Sequence, residues 1–427
     1  MSRTRTYLFV ALLMGLGWAL RGHFGHEYGA AWAGALGGLA VVAAARRPDW
    51  ASRMPVLAAL GAVGWAVGGI MSYGRIVGFT RGTDFGNVLY GFGMLAVVGG
   101  LYGFIGGGLL GFGLETTKER RPDWPALITQ MTVGGWLAWG LLIYQFEWNM
   151  TPPRSELWAG CLGASLALAW YAYRHGFLRT LRLAGYTALG AGFGFAFGDF
   201  LQIMGNLTGW SFNWWNLMEF TLGFCGGLGL VYGVISGEWP ETAPAARKAN
   251  WTGLAFLLIV IPVLNILQGM EYSSFLEMAT RIGRQAPGLF ATLQIVSSWV
   301  LVVVVAIPGF MIWRRLQDDP ALLARRYLPG FLFGYGLLYI LFSHLKKGFF
   351  YTPGQLEHYF YWLILLGAIW IWFGSLVKPR QGWYPAAGPE SWKKWGKILG
   401  LVILVLIALT LISISSHAGL PGMQTRF

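Results

Sequence analysis

The stretch RGHFGHEYGA, residues 21–30, sets Arg21, His23, His26 and Glu27 within seven positions, directly after an apolar run from Tyr7 to Leu20. Two histidines three apart share a face if the segment is helical, a geometry open to a transition metal with Glu27 adding an oxygen. Gly22 and Gly25 weaken a helix there, and the H-E-x-x-H order is absent, so no metal or other cofactor is assigned. A histidine beside a carboxylate in a partly dry pocket suits proton transfer near neutral pH. Arg21 can take a carboxylate or phosphate.

The depth of these residues matters. Tyr7 to Leu20 covers only about 21 Å at roughly 1.5 Å per residue, short of a hydrocarbon core of about 30 Å, so Arg21 to Glu27 complete the crossing. Ionisable groups at that depth have to pair or face a wet cavity. Other polar residues point to the same level: Asp199 and Glu219 near helix ends, Arg75, Arg81, Asp84 and Asn87 in one connection, and Gln145, Glu147, Asn149, Arg154 and Glu156 in another. Together they predict one polar pocket opening outward. The plainer readings are an Arg21–Glu27 structural pair, helix-end polar groups, and loop arginines meeting lipid headgroups. Trp148, Trp210, Trp214 and Trp215 read as an interfacial belt.

The elements that must hold these residues are apolar helices. Of 427 residues 56% are hydrophobic and 11% charged, against about 25% charged in soluble domains, so the chain reads as an all-α polytopic membrane protein. Apolar runs near 7–27, 29–45, 55–73, 87–113, 125–146, 156–173, 183–203, 215–236, 251–268, 288–313, 327–344, 356–377 and 397–413 predict thirteen spans. With the N-terminus inside, most of the 31 Lys and Arg fall in inner segments, among them Lys118, Arg120, Arg121, Lys378 and Arg380. The positive-inside rule therefore gives N-in and C-out and explains the net charge of +13 without nucleic acid.

Sequence echoes predict a tandem parallel duplication. GLGWAL (15–20) returns as VGGWLA (133–138), WAGALGGLA (32–40) as WAGCLGASLA (158–167), and GAVGWAVGG (61–69) as GAGFGFAFG (190–198); Gly99 matches Gly226. Helices 1–4 and 5–8 would be the copies, giving units at 1–115 and 125–238 and a C-terminal five-helix region at 251–413. Glycines at every fourth residue, such as Gly99, Gly103 and Gly107, read as close helix packing. Residues 106–111 match G-x-G-x-x-G, but no strand precedes them, which argues against a nucleotide site.

Cys161 and Cys225 sit in apolar runs and form no disulfide or metal pattern. No cleavage site follows the first apolar stretch, so it is expected to remain. Residues 271–285 carry Tyr272, Phe275, Leu276, Ala279 and Ile282 at helical spacing, as a surface helix would. SHLKKGFFYTPGQLEHYFYW brings His344, Lys346, Lys347, Glu357 and His358 to one side. Three functions fit. One is a transporter-like protein of a bacterial inner (plasma) membrane, in contact with membrane lipids and taking a small anionic solute. Another is a membrane enzyme acting on a lipid-linked substrate, with His26 as acid or base. The third is a noncatalytic scaffold.

Overall fold

The computed structural model describes residues 1–347, 356–375 and 392–427, which leaves Lys378, Arg380 and the GFFYTPGQ of the 343–362 stretch outside the described residues. The described chain is helical, with no strand. In order the helices are α1 (Arg3–Arg21), α2 (Glu27–Ala45), α3 (Pro48–Ala51), α4 (Met54–Gly69), α5 (Gly74–Thr80), α6 (Phe85–Glu115), α7 (Trp124–Trp139), α8 (Leu157–Arg174), α9 (Leu178–Leu207) and α10 (Trp214–Ile235). The remainder are α11 (Arg247–Ala255), α12 (Ile261–Gly269), α13 (Tyr272–Arg281), α14 (Pro287–Leu316), α15 (Pro320–Leu322), α16 (Leu328–Lys346), α17 (Glu357–Gly374) and α18 (Trp392–Ser416). Wider π turns continue α7 to Gln145 and join α11 to α12.

Among the described residues nine helices are long and apolar enough to cross a membrane, or ten if α4 and α5, bent by 65° at a short break, count as one span. Thirteen were expected. The other three, α1, α8 and α17, do form as helices, but terminal Arg, Glu and His residues and interspersed tyrosines keep them below that apolarity.

Six helices close into a ring: α1 packs on α2, α2 on α4, α4 on α6, α6 on α9, α9 on α10, and α10 back on α1. Small residues make the seams. A Cβ at Gly34 of α2 would lie 2.4 Å from the Gly61 carbonyl oxygen of α4, and one at Gly103 of α6 would lie 2.4 Å from that of Thr187 of α9. Backbones in van der Waals contact are how helices associate where lipid offers no hydrophobic drive. Inside the ring Trp18, Trp65 and Tyr102 are buried and meet edge-to-face or stacked, with centroids 5.0–6.4 Å apart.

The hairpin of α7 and α8 stands outside this ring, against α6, whereas α1 and α2 are part of it. Trp18 is fully buried and its sequence counterpart Trp136 is 79% exposed. The two predicted repeat units therefore pack differently, and the packing lends the duplication no support. α16 and α17 flank α1, and α18 lies against α6 and α9.

Candidate functional site

α1 ends at Arg21 because Gly22 and Gly25 follow, Gly25 taking a positive φ of 85° that side chains resist. The chain turns and re-enters at Glu27, leaving Gly22, Gly25 and His26 exposed while Arg21 is 2% exposed. At the same end the break between α4 and α5 swings Tyr73 inward. α6 brings Tyr102, and α10 brings Trp215 and Glu219.

These residues form one buried network. Arg21 Nη1 donates to Glu219 Oε1 at 2.8 Å and to the Tyr73 hydroxyl, while Nη2 donates to His26 Nδ1 at 2.9 Å and to the Tyr102 hydroxyl at 3.4 Å. A guanidinium cannot accept, so His26 Nδ1 carries the lone pair and Nε2 the proton of a neutral ring. Glu219 Oε1 also accepts from Tyr73 at 2.8 Å and from Trp215 Nε1 at 3.1 Å. The guanidinium lies over Trp18 and Tyr73, 5.5 and 5.4 Å from their centroids.

Glu219 Oε2, by contrast, is buried with no hydrogen-bond partner. It lies beside exposed Gly22, 3.0 Å from where a Cβ there would be. Two other buried carboxylates, Glu115 and Glu156, are satisfied. Glu115 takes Arg120 at 3.0 Å and the amide and hydroxyl of Thr180, and Glu156 takes the amides of Met150 and Thr151 and the Trp158 indole. An orphaned buried oxygen beside a bound guanidinium calls for a ligand.

The remaining expected residues do not converge on this network. Asp199 is fully buried with neither carboxylate oxygen hydrogen-bonded; the Thr80 hydroxyl beside it donates to the Val77 carbonyl. Glu27, expected to pair with an arginine, forms no ion pair among the described residues; Glu219 took that place. Asp84 is exposed and caps α6, accepting from the Asn87 amide at 2.7 Å. Arg81 donates to the Pro421 carbonyl at 2.9 Å, as part of a seam that ties residues 420–426 to Gly78, Arg81, Asn87 and Asn149. Arg75 is half-buried and Arg154 exposed.

His23 turns away from His26 into a second cluster. Its Nδ1 lies 2.5 Å from Ser343 Oγ, its ring 6.0 Å from that of His358, and His358 is 4.7 Å from His344, which accepts from Trp362 at 2.8 Å. Tyr361 touches His23 and is hydrogen-bonded by Asn216, bridging the two clusters. No group of three or more His, Cys, Asp or Glu among the described residues is arranged to hold a metal ion.

Sequence reading missed Tyr73, Tyr102 and Asn216 and gave Trp215 only a belt role. Tyrosines at apolar positions carry no charge signal; only YGR after the GG of α4 marked the break.

Described residues that are all helical or irregular, with nine or ten apolar helices among them and a buried polar network at one end, have the makeup of an integral membrane protein. Compared with models of known families, with curated proteins and with solved structures, the chain matches none of them.

Proposed function

We propose that the protein is a transporter-like component of a bacterial plasma membrane, in which Arg21 seats a small anionic solute and Glu219 is its built-in competitor. The observation that carries this reading is the buried Arg21–Glu219 pair at the break between α4 and α5, with one carboxylate oxygen unpartnered beside the exposed glycines. Broken helices at ion sites recur in transporters. An anion arriving past Gly22 and His26 displaces the carboxylate from Arg21. A carboxylate left alone in a buried site is costly, so it takes a proton, and anion and proton enter together. The thirteen-pass, N-in, C-out arrangement fits this frame. α1 is too polar for lipid yet is mostly buried within the ring, where it need not face lipid.

The test is binding by purified protein in detergent, scanned with inorganic phosphate and a panel of small carboxylates at pH 5.5 and 7.5. Wild type should bind one class more tightly at the lower pH. Arg21→Lys, which loses the planar fork, should bind at least about tenfold more weakly. Glu219→Gln should bind with no pH dependence. Because removing one partner of a buried pair costs about 3–5 kcal/mol, thermal unfolding is measured alongside. If no anion binds, and Arg21→Gln with Glu219→Gln together regain the stability each loses alone, the pair is structural and the scaffold reading stands.

A further inference from the structure

A large cavity lies away from the Arg21 network. It is a groove of about 1100 Å³ between α4 and α6 on one side and the α7–α8 hairpin on the other, with the start of α11 at one end. That exceeds the roughly 300–1,000 Å³ of ordinary small-molecule sites. Its walls are apolar along their length, with Val63 of α4 and Ile70 just after it, Ile128 and Trp136 of α7, and Gly160 of α8. From Arg53 to Ile70 the α4 side covers about 25 Å at about 1.5 Å per residue, most of a hydrocarbon core of about 30 Å.

Only one end is charged. Arg53, the residue before α4, is 6% exposed and lines the groove; Nη1 donates to the Ala243 carbonyl at 2.6 Å, and Nε is buried with no partner. Arg121 lines the same end and is exposed. Among the described residues neither is in an ion pair. The closest acidic influence, Asp49, has its oxygens engaged by Arg47 and Thr242. Burial and then the charge of Arg121 push the Arg53 pKa down to about 10, and Asp49 pulls it back only in part.

We infer that this groove is a binding site for an anionic phospholipid, with its acyl chain along α4 and α7 and its phosphate between Arg53 and Arg121. The geometry separates the two chemistries as a lipid does: a long apolar trough, and one unneutralised cationic end. The site is independent of the solute site at Arg21.

The experiment titrates delipidated protein in detergent with phosphatidylglycerol or phosphatidylcholine and counts bound lipid by native mass spectrometry. Phosphatidylglycerol should be preferred, with each arginine contributing about fivefold, the size expected of one basic side chain at an anionic surface. Arg121→Gln, which removes no hydrogen bond or ion pair among the described residues, should cut the preference about fivefold, and adding Arg53→Gln should abolish it. A Cβ at Gly160 meets only the Gly135 carbonyl oxygen at 3.8 Å, so Gly160→Leu should fold, fill the trough and lose both lipids. Equal binding of the two lipids, or an unchanged preference in Arg121→Gln, overturns the proposal. So does displacement by millimolar inorganic phosphate combined with full binding by Gly160→Leu, which would mark a bare anion site. Should the Arg53 variant fail to fold, Arg121→Gln and Gly160→Leu decide the matter alone.

Discussion

Carboxylates sort this molecule by what answers them. Asp49, in the connection between α2 and α4, takes two bonds from Arg47 at 2.7 and 3.0 Å and two from Thr242 at 2.9 and 3.1 Å. Burial alone would raise its carboxyl, but the Arg47 guanidinium and the Thr242 amide outweigh it and hold it below the usual range. A depressed folded value means stability that is present above the unfolded value of about 3.9 and lost as pH falls through the lower folded one. Wild type should therefore lose more thermal stability than Asp49→Asn between pH 5 and pH 3, while at pH 7 Asp49→Asn is the less stable by a few degrees. Parallel melting curves for the two proteins over that range would refute the assignment. At this scale the sequence announced charge well and partners badly. Arg21, His26 and Glu219 stand out as ions in an apolar chain, but the partner expected for Arg21, Glu27, lay nearby in sequence, and the true one is brought by α10. Tyr73 and Tyr102 hid among the aromatics that lipid-facing helices share.

Helix seams here depend on backbone meeting backbone. At Gly103 the obstacle to a side chain is the Thr187 carbonyl, which cannot rotate away, so Gly103→Leu should separate α6 from α9 and cost about 1–3 kcal/mol or more. Gly93, on the same helix, has nothing within 4 Å of where a Cβ would stand, and Gly93→Ala should stay within about 0.5 kcal/mol of wild type. Thermal unfolding of both in one detergent makes the comparison; equal effects would mean that the seam is loose. Helix existence was legible: the expected runs 29–45, 87–113 and 215–236 became α2, α6 and α10 with ends moved by one or two residues. The break after Gly69 was not, because averaged hydropathy over 55–73 registers composition and is blind to a bend. Adjacency was not legible either, since a helix apolar all round does not say which face it buries.

The molecule as a whole pairs an end that gathers His26, Glu219 and residues 420–426 with another that gathers Asp49, Arg53 and Glu115. In a background lacking Cys161 and Cys225, cysteines at 118 and 150 should label from opposite sides of the membrane, and one at 424 from the same side as 150, given the bond from Arg426 to the Asn149 carbonyl. Labelling of 118 and 150 from one side would remove a crossing from the count. Alternating runs and basic loops predict this arrangement, whereas the closed ring, and the meeting of His23 with Ser343 across 320 positions, arise from tertiary packing that no local pattern encodes. The ring also has a consequence in time. Arg21 and Glu219 are 198 positions apart, and at about 5–20 residues per second a ribosome needs roughly 10–40 s to make the second after the first. For that interval the first-made stave carries a guanidinium whose counter-charge does not yet exist. Newly synthesised α1 must wait in water or against the insertion machinery, and the last stave to arrive, α10, is the one that lets it settle.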